Sequence, residues 1–145
     1  MPISFHSIDL KMPALKKAAL KTFIASQALK EAKKKLSVTY VFCSDEHLLN
    51  MNRQFLEHDF YTDIITFPLS ETDKEIEAEI YISVDRVKDN AAKFKSDFSE
   101  ELHRVIFHGV LHLIGFKDKS RLDKETMRTK ENEWLRKFKV ALKRV

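Results

Sequence analysis

Two histidines four residues apart, His108 and His112, sit in the run His108-Gly109-Val110-Leu111-His112-Leu113-Ile114-Gly115-Phe116-Lys117-Asp118. On a helix, side chains at i and i+4 share one face, one turn above the other, so these imidazoles can close on a single metal ion. Both glycines of the 145-residue chain fall inside this run. Gly115, three residues after His112, is a natural helix terminator, and a turn there can bring Asp118 back toward the ion. Two imidazoles and one carboxylate with an open fourth position make a hydrolytic zinc arrangement. The ion lowers the pKa of a bound water and makes hydroxide available near neutral pH. The residues therefore predict one zinc per chain, held by His108, His112 and Asp118.

The surroundings favour a metal over a chance pair. Leu102, Val105, Ile106, Val110, Leu113 and Ile114 recur at helical spacing and define a core face. His108 and His112 lie about a quarter turn from its centre, at the edge of the buried stripe. Imidazoles without partners there would carry a desolvation cost, which metal binding meets. The spacing is similar to the protease pattern His-Glu-x-x-His, but Gly109 stands where the catalytic Glu would be. That argues against a metallopeptidase.

These histidines need a scaffold, and periodicity supplies one. Ile3 to Leu10 reads as a first strand, and Pro13 to Ala32 as a long helix with Pro13 in its first turn. Leu36, Val38, Tyr40 and Phe42 alternate as a second strand. Ser44 or Asp45 can cap a helix through Leu48 to Leu56. Ile64 to Leu69 reads as a third strand, residues 71–77 as a charged turn, and Ala78 to Ser83 as a fourth strand. Asp85 to Phe94 is helical, the metal helix follows Ser99, and Leu122 to Val140 forms a terminal helix. The expected fold is α+β: one domain over residues 1–145, a small mixed sheet covered by helices, with the metal site at the end of a central helix.

The run HGVLHLIGFKD resembles the HGxLHLxGYDH signature of the YbeY family of bacterial metal-dependent endoribonucleases that act in ribosomal RNA maturation. Thr62-Asp63-Ile64-Ile65-Thr66-Phe67 is similar to that family's TDVLSF segment, and Glu79-Ile80-Tyr81-Ile82-Ser83 to its GDIxIS strand. Chain length and element order also fit, so the likeness covers nearly the whole chain. It implies a zinc-dependent endoribonuclease for single-stranded regions, acting in 16S 3′-end maturation and ribosome quality control. The implied partners are ribosomal RNA or its precursors and small ribosomal subunit proteins. The resemblance also places Met127 and Glu131 near the metal motif, with Glu131 as a partner behind the ligands.

Three positions depart from the family pattern. Asp118 stands where the third His usually sits; it is a competent zinc ligand, but its negative charge weakens polarisation of a bound water. Leu56 replaces a family Arg, for which Arg53, one turn earlier, is the nearest substitute. Ala78 replaces a Gly. No general base declares itself: Asp63, Glu79 or the substrate's own 2′-hydroxyl could take the proton.

Composition bounds the alternatives. A chain of this length, with 43% hydrophobic residues including eleven phenylalanines, can bury a sizeable core. No apolar run approaches the ~18 residues of a membrane span, and Met1-Pro2-Ile3-Ser4-Phe5 does not read as a signal peptide. A lone Cys43 on a strand excludes an intrachain disulfide and a cysteine zinc site. A cytoplasmic protein with no membrane partner is expected. Charge is segregated: residues 1–35 carry net +6, residues 36–116 net −8, and residues 117–145 net +6. The basic ends, with Lys16, Lys17, Lys137 and Lys143, either contact RNA or solvate the outer faces of two terminal helices.

Other residues receive plainer expectations. His103 lies about 140° from His108 around the helix and should not be a ligand. His58 and Asp59 read as turn formers. Trp134, Leu135 and Phe138 fit a packed stripe, while Phe60 and Tyr61 are the better candidates for base stacking. Two rivals to the endoribonuclease remain: a non-catalytic ribosome assembly factor whose zinc only stiffens the fold, and a metal-dependent hydrolase with another substrate. An open coordination position favours an enzyme; a fourth protein ligand favours the structural role.

Overall fold

Alternation in the strands decides which face of the sheet is covered and by what. The computed structural model describes residues 3–144. Its strands are β1 (Ile3–Ser7), β2 (Lys35–Cys43), β3 (Ile64–Glu71) and β4 (Glu75–Ser83), in the spatial order β1-β2-β4-β3. β1, β2 and β4 are parallel, and β3 runs antiparallel to β4, which makes the sheet mixed. The helices are α1 (Lys17–Ala32), α2 (Asp45–Leu56), α3 (Val84–Lys93), α4 (Phe98–Leu113) and α5 (Arg121–Lys143). The parallel β1–β2 pair is joined through α1, because parallel neighbours need a crossover.

On one face of the sheet Phe5, Val38, Tyr40 and Ile80 join Ile24, Ile106, Phe107 and Trp134 in the main core, beneath α1, α4 and α5. The opposite face is covered more thinly, where Cys43, Leu48 and Ile65 pack with Met51, Phe67 and Tyr81 under α2. Tyr40 is fully buried, and its hydroxyl donates to the Ile106 carbonyl at 2.9 Å, tying β2 to the middle of α4. Gly109 lets α4 pack tightly against the sheet. A Cβ there would lie 2.8 Å from Ile80 Cδ1 and 3.1 Å from Ile64 Cδ1.

The elements are those expected, with shifted ends. β1 stops at Ser7, because Asp9 turns to positive φ (57°) and spends its carboxylate on the Ser44 backbone N–H and hydroxyl. α1 begins at Lys17 rather than Pro13, and Leu10, Met12 and Leu15 of the approach pack on the core instead. The expected charged turn over 71–77 is mostly strand. β3 and β4 form a hairpin closed between Glu71 and Glu75, with a register shift at Pro68/Ser70. Cross-strand pairing overrides the low strand propensity of Glu75 and Glu77, whose side chains face solvent while Ile76 and Ala78 are buried. α5 runs a little longer at both ends than expected; its start is set by a capping box in which Ser120 and Asp123 bond each other's backbone. The chain is a single α+β domain.

Candidate active-site cleft

A groove between α1 and α5 is lined mainly by lysine, arginine and small or apolar residues and contains none of the predicted metal ligands. A second cavity, about 610 Å³, contains the histidine pair. Its floor comes from one stripe of α4: Glu101, Arg104, Val105, His108 and His112. These positions recur at three- and four-residue spacing, so a single helical face supplies them all. Thr62, Asp63, Ile64 and Thr66 enter from the start of β3, Asn90 and Phe94 from the end of α3, and Lys124, Met127, Arg128 and Glu131 from α5.

The turn after α4 does what its glycine implied. Gly115 adopts φ 116°, and the N–H groups of Ile114, Gly115 and Phe116 bond back to the Val110, His112 and Leu111 carbonyls. Phe116 then packs against the core, and Asp118 returns to the cleft. Asp118 Oδ2 lies 3.5 Å from His108 Nε2. Two ligand atoms of one tetrahedral zinc, each at its usual bond length, stand about 3.4 Å apart. The His108–Asp118 pair therefore has the span that a shared ion requires, and His112 lines the same cleft. Among the described residues, no three His, Cys, Asp or Glu side chains are gathered as a ready metal-holding group.

His108 is oriented from behind. Its Nδ1 lies 2.7 Å from Glu131 Oε2 across the α4–α5 interface. A carboxylate only accepts, so Nδ1 carries the hydrogen and Nε2 faces Asp118 with its lone pair in the neutral ring. A carboxylate behind a ligating histidine fixes ring and tautomer in this way. Glu131 is 5% exposed, and its second oxygen meets Arg104 Nη1 at 3.3 Å and Arg128 Nη1 at 3.8 Å. A buried carboxylate needs such partners, and here it has them.

The cleft is electrostatically negative around His108. Burial disfavours the imidazolium, yet the Glu131 hydrogen bond and the charges of Glu131, Asp118 and Asp63 outweigh it and raise the His108 pKa. The carboxyl of Asp63 is pushed above the ordinary carboxylate range, mainly by burial, with His108 and its own backbone N–H opposing. Its Oδ2 accepts a long bond from Asn90 Nδ2 at 3.4 Å. Glu101 is likewise raised by burial, against the pull of Arg104 and Arg128.

Of the residues singled out from sequence, His108, His112, Asp118, Asp63, Met127 and Glu131 come together at the cleft. Others do not. Glu79 belongs to the strand face that carries Tyr81, whose hydroxyl it accepts at 3.2 Å, away from the buried Ile80 and Ile82 that face α4. It cannot serve as the base. Arg53 pairs with Asp59 at 2.5 Å, and His58 stacks on Phe60. None of these lines the cleft, so Arg53 does not stand in for the Arg replaced by Leu56. Tyr61 donates to Glu46 at 2.9 Å and lies under Arg86, also outside it. His103 packs against Phe107 and Phe138, and Trp134 is fully buried in the core.

Glu101, Arg104, Asn90, Lys124 and Arg128 were not anticipated as cleft residues. The signal for the first two was present, since stepping back from His108 by four and then three residues reaches Arg104 and Glu101. The α3 and α5 residues carried no such local signal.

Comparison with known proteins agrees with this construction. The family described as Endoribonuclease YbeY matches residues 3–139. A curated Endoribonuclease YbeY of Cytophaga hutchinsonii is 51% identical over 94% of this chain and 96% of its own length. That of Parabacteroides distasonis is 46% identical over 93% and 94%. A solution structure of a Thermotoga maritima protein superposes with a TM-score of 0.61 at 25% identity, covering 94% of this chain and 88% of the other. With the family matched from the first strand to the last helix, and its signature histidines on one face of α4 inside a polar cleft, the chain belongs to the YbeY endoribonuclease family.

Proposed function

We propose that this protein is a zinc-dependent endoribonuclease that cleaves single-stranded ribosomal RNA precursors in the cytoplasm, near the 3′ end of 16S RNA, and serves ribosome quality control. The observation that carries the reading is the His108 ring held by Glu131 at 2.7 Å with its other nitrogen 3.5 Å from Asp118. Family membership supplies the RNA substrate.

The donor set fits zinc: two imidazoles and a carboxylate, with Glu131 behind the first. His108, His112 and Asp118 would hold the ion, which when bound supplies a water acidic enough to attack phosphorus near neutral pH. The remaining work falls to the chain itself. Asp63, in the same cleft and with a raised pKa, is placed to accept the proton of an attacking water. Arg128, whose guanidinium is half exposed, can meet a phosphate oxygen. Lys119, Arg121 and Lys124 line an adjoining shallow pocket that shares Lys124 and Arg128 with the cleft, and they extend a basic track for the backbone.

The test is metal analysis of purified protein, then cleavage of defined single-stranded RNAs with and without chelator. The expected result is about one zinc per chain, with cleavage that stops on chelation and returns with zinc. Full zinc occupancy in the doubly substituted His108→Ala/His112→Ala protein would sink the metal assignment. Zinc binding without any RNA cleavage would favour the structural-zinc assembly factor.

A further inference from the structure

The groove between α1 and α5, about 1010 Å³, is not used by the proposed hydrolysis. It is where the two basic ends of the chain meet. Lys16, Lys17 and Lys30 line one side, Arg136, Lys137 and Arg144 the other, and no described Asp or Glu lines it. Lys137 also pairs with Glu133 one turn back, at 2.9 Å. Lys143, expected with these lysines, is not among the lining residues.

Between the basic rims the floor is apolar and low. Ala19, Phe23, Val140 and Ala141 form it, and Val140 is 45% exposed. Gln27 also lines the groove; it is 5% exposed, and its Oε1 is buried with no hydrogen-bond partner among the described residues. A buried acceptor without a donor is costly to keep, so its retention beside an open groove points to a donor that arrives with a ligand. The walls are cross-linked to each other. Glu31 of α1 accepts from Trp134 Nε1 at 2.7 Å and pairs with Lys130, tying α1 to α5.

The structure assigns this groove to an amphipathic helix of a protein partner, apolar on the face that enters and acidic along both flanks. Small floor residues let a helix approach closely between two helices, and its apolar side chains would cover Val140 with Ala19 and Ala141. Its carboxylates would meet the two basic rims, and a side-chain amide or hydroxyl of the same helix would donate to Gln27. Single-stranded RNA fits less well. Such sites offer exposed aromatic platforms for bases, whereas Phe23, the one aromatic residue lining the groove, is buried among Phe107, Trp134 and Phe138. Nor does the groove continue the cleft: Arg128 of the cleft and Val140 of the groove lie about 120° apart around α5.

The test uses the full chain and three fluorescent probes: an 18-residue peptide with Leu at helical spacing and Glu on its flanks, a scrambled peptide of the same composition, and a twelve-residue oligouridylate. The ordered peptide should bind at least tenfold more tightly than the scrambled one. Lys17→Glu/Arg136→Glu should weaken it at least tenfold while leaving oligouridylate binding and RNA cleavage unchanged. Gln27→Leu should raise the thermal midpoint of the free protein and weaken the peptide several-fold. Val140→Glu, an exposed position that folding tolerates, should weaken it as well. Equal binding of ordered and scrambled peptides overturns the proposal, as does peptide affinity indifferent to the charge reversals. Loss of oligouridylate binding on those reversals overturns it too and makes the groove an RNA track.

Discussion

Glu131, in the middle of α5, holds Nδ1 of His108 at 2.7 Å across the interface with α4. That contact aims Nε2 at Asp118 and sets the tautomer in which it can bind a metal. Replacing Glu131 with Gln keeps the shape but lets the amide offer either a donor or an acceptor to Nδ1. Loss of a carboxylate behind a ligating histidine typically costs 10–100-fold in metal affinity. Competition with a chromophoric chelator should show a loss of that order in Glu131→Gln, and an unchanged affinity would remove Glu131 from the site.

Asp118 sits on a half-exposed turn, 3.5 Å from His108 Nε2. Asp118→Ala should lower zinc affinity strongly, whereas Asp118→His should keep three ligands and restore the residue usual in the family. If Asp118→Ala binds zinc as tightly as the parent in the same competition assay, the third ligand lies elsewhere.

Gly109 lets α4 press against the sheet, since a Cβ would come within 2.8 Å of Ile80 Cδ1. Overpacking a tight core site costs about 1–3 kcal/mol, and the better helix propensity of Ala returns up to about 1 kcal/mol. Gly109→Ala should therefore destabilise the protein by about 1 kcal/mol in urea unfolding. Ile80→Val removes the offending methyl, so the double variant should be more stable than the sum of the single losses. Strict additivity would show that the contact is not the cause.

Burial holds the His103 imidazole below its ordinary pKa, against the raising effect of its hydrogen bond to the Ser99 carbonyl. The unfolded chain then protonates first as pH falls. Stability from this residue is complete above about pH 6.5 and declines as pH drops through the lowered folded value. Between pH 8 and 5 the urea midpoint of His103→Phe should fall less steeply than that of the parent. Parallel curves would show that His103 does not contribute to acid sensitivity.

The basic track beside the cleft predicts a salt effect. If Lys119 and Lys124 each neutralise one phosphate, removing both should flatten the log–log salt dependence of RNA binding by about 1.4, at roughly 0.7 per contact for a single strand. An unchanged slope in Lys119→Ala/Lys124→Ala would place the strand elsewhere.

Much of the site was legible because it is local. Helical periodicity alone puts His108 and His112 on one face, and a glycine at positive φ ends α4 where Gly115 was expected to end it. The same stripe, followed backward, contained Arg104 and Glu101. Alternation in β2 and β4 announced a buried sheet face, and family likeness named the order of elements. Other features depend on which surfaces meet, which spacing does not encode. The charged stretch 71–77 became hairpin because β3 and β4 pair across it, and strand pairing outweighs single-residue propensity. Glu79 and Asp63 looked equivalent as bases until the pleat turned one away from α4 and the packing of β3 set the other in the cleft. Glu131 lies 23 residues from His108, and the convergence of both basic ends on one groove joins the two helices furthest apart in sequence. Which residues share a helix or strand face follows from chain order, because the backbone repeat is fixed by local sterics and hydrogen bonding. Which faces then oppose one another was decided only by tertiary packing, where burial of the core sets how α4, α5 and the sheet dock.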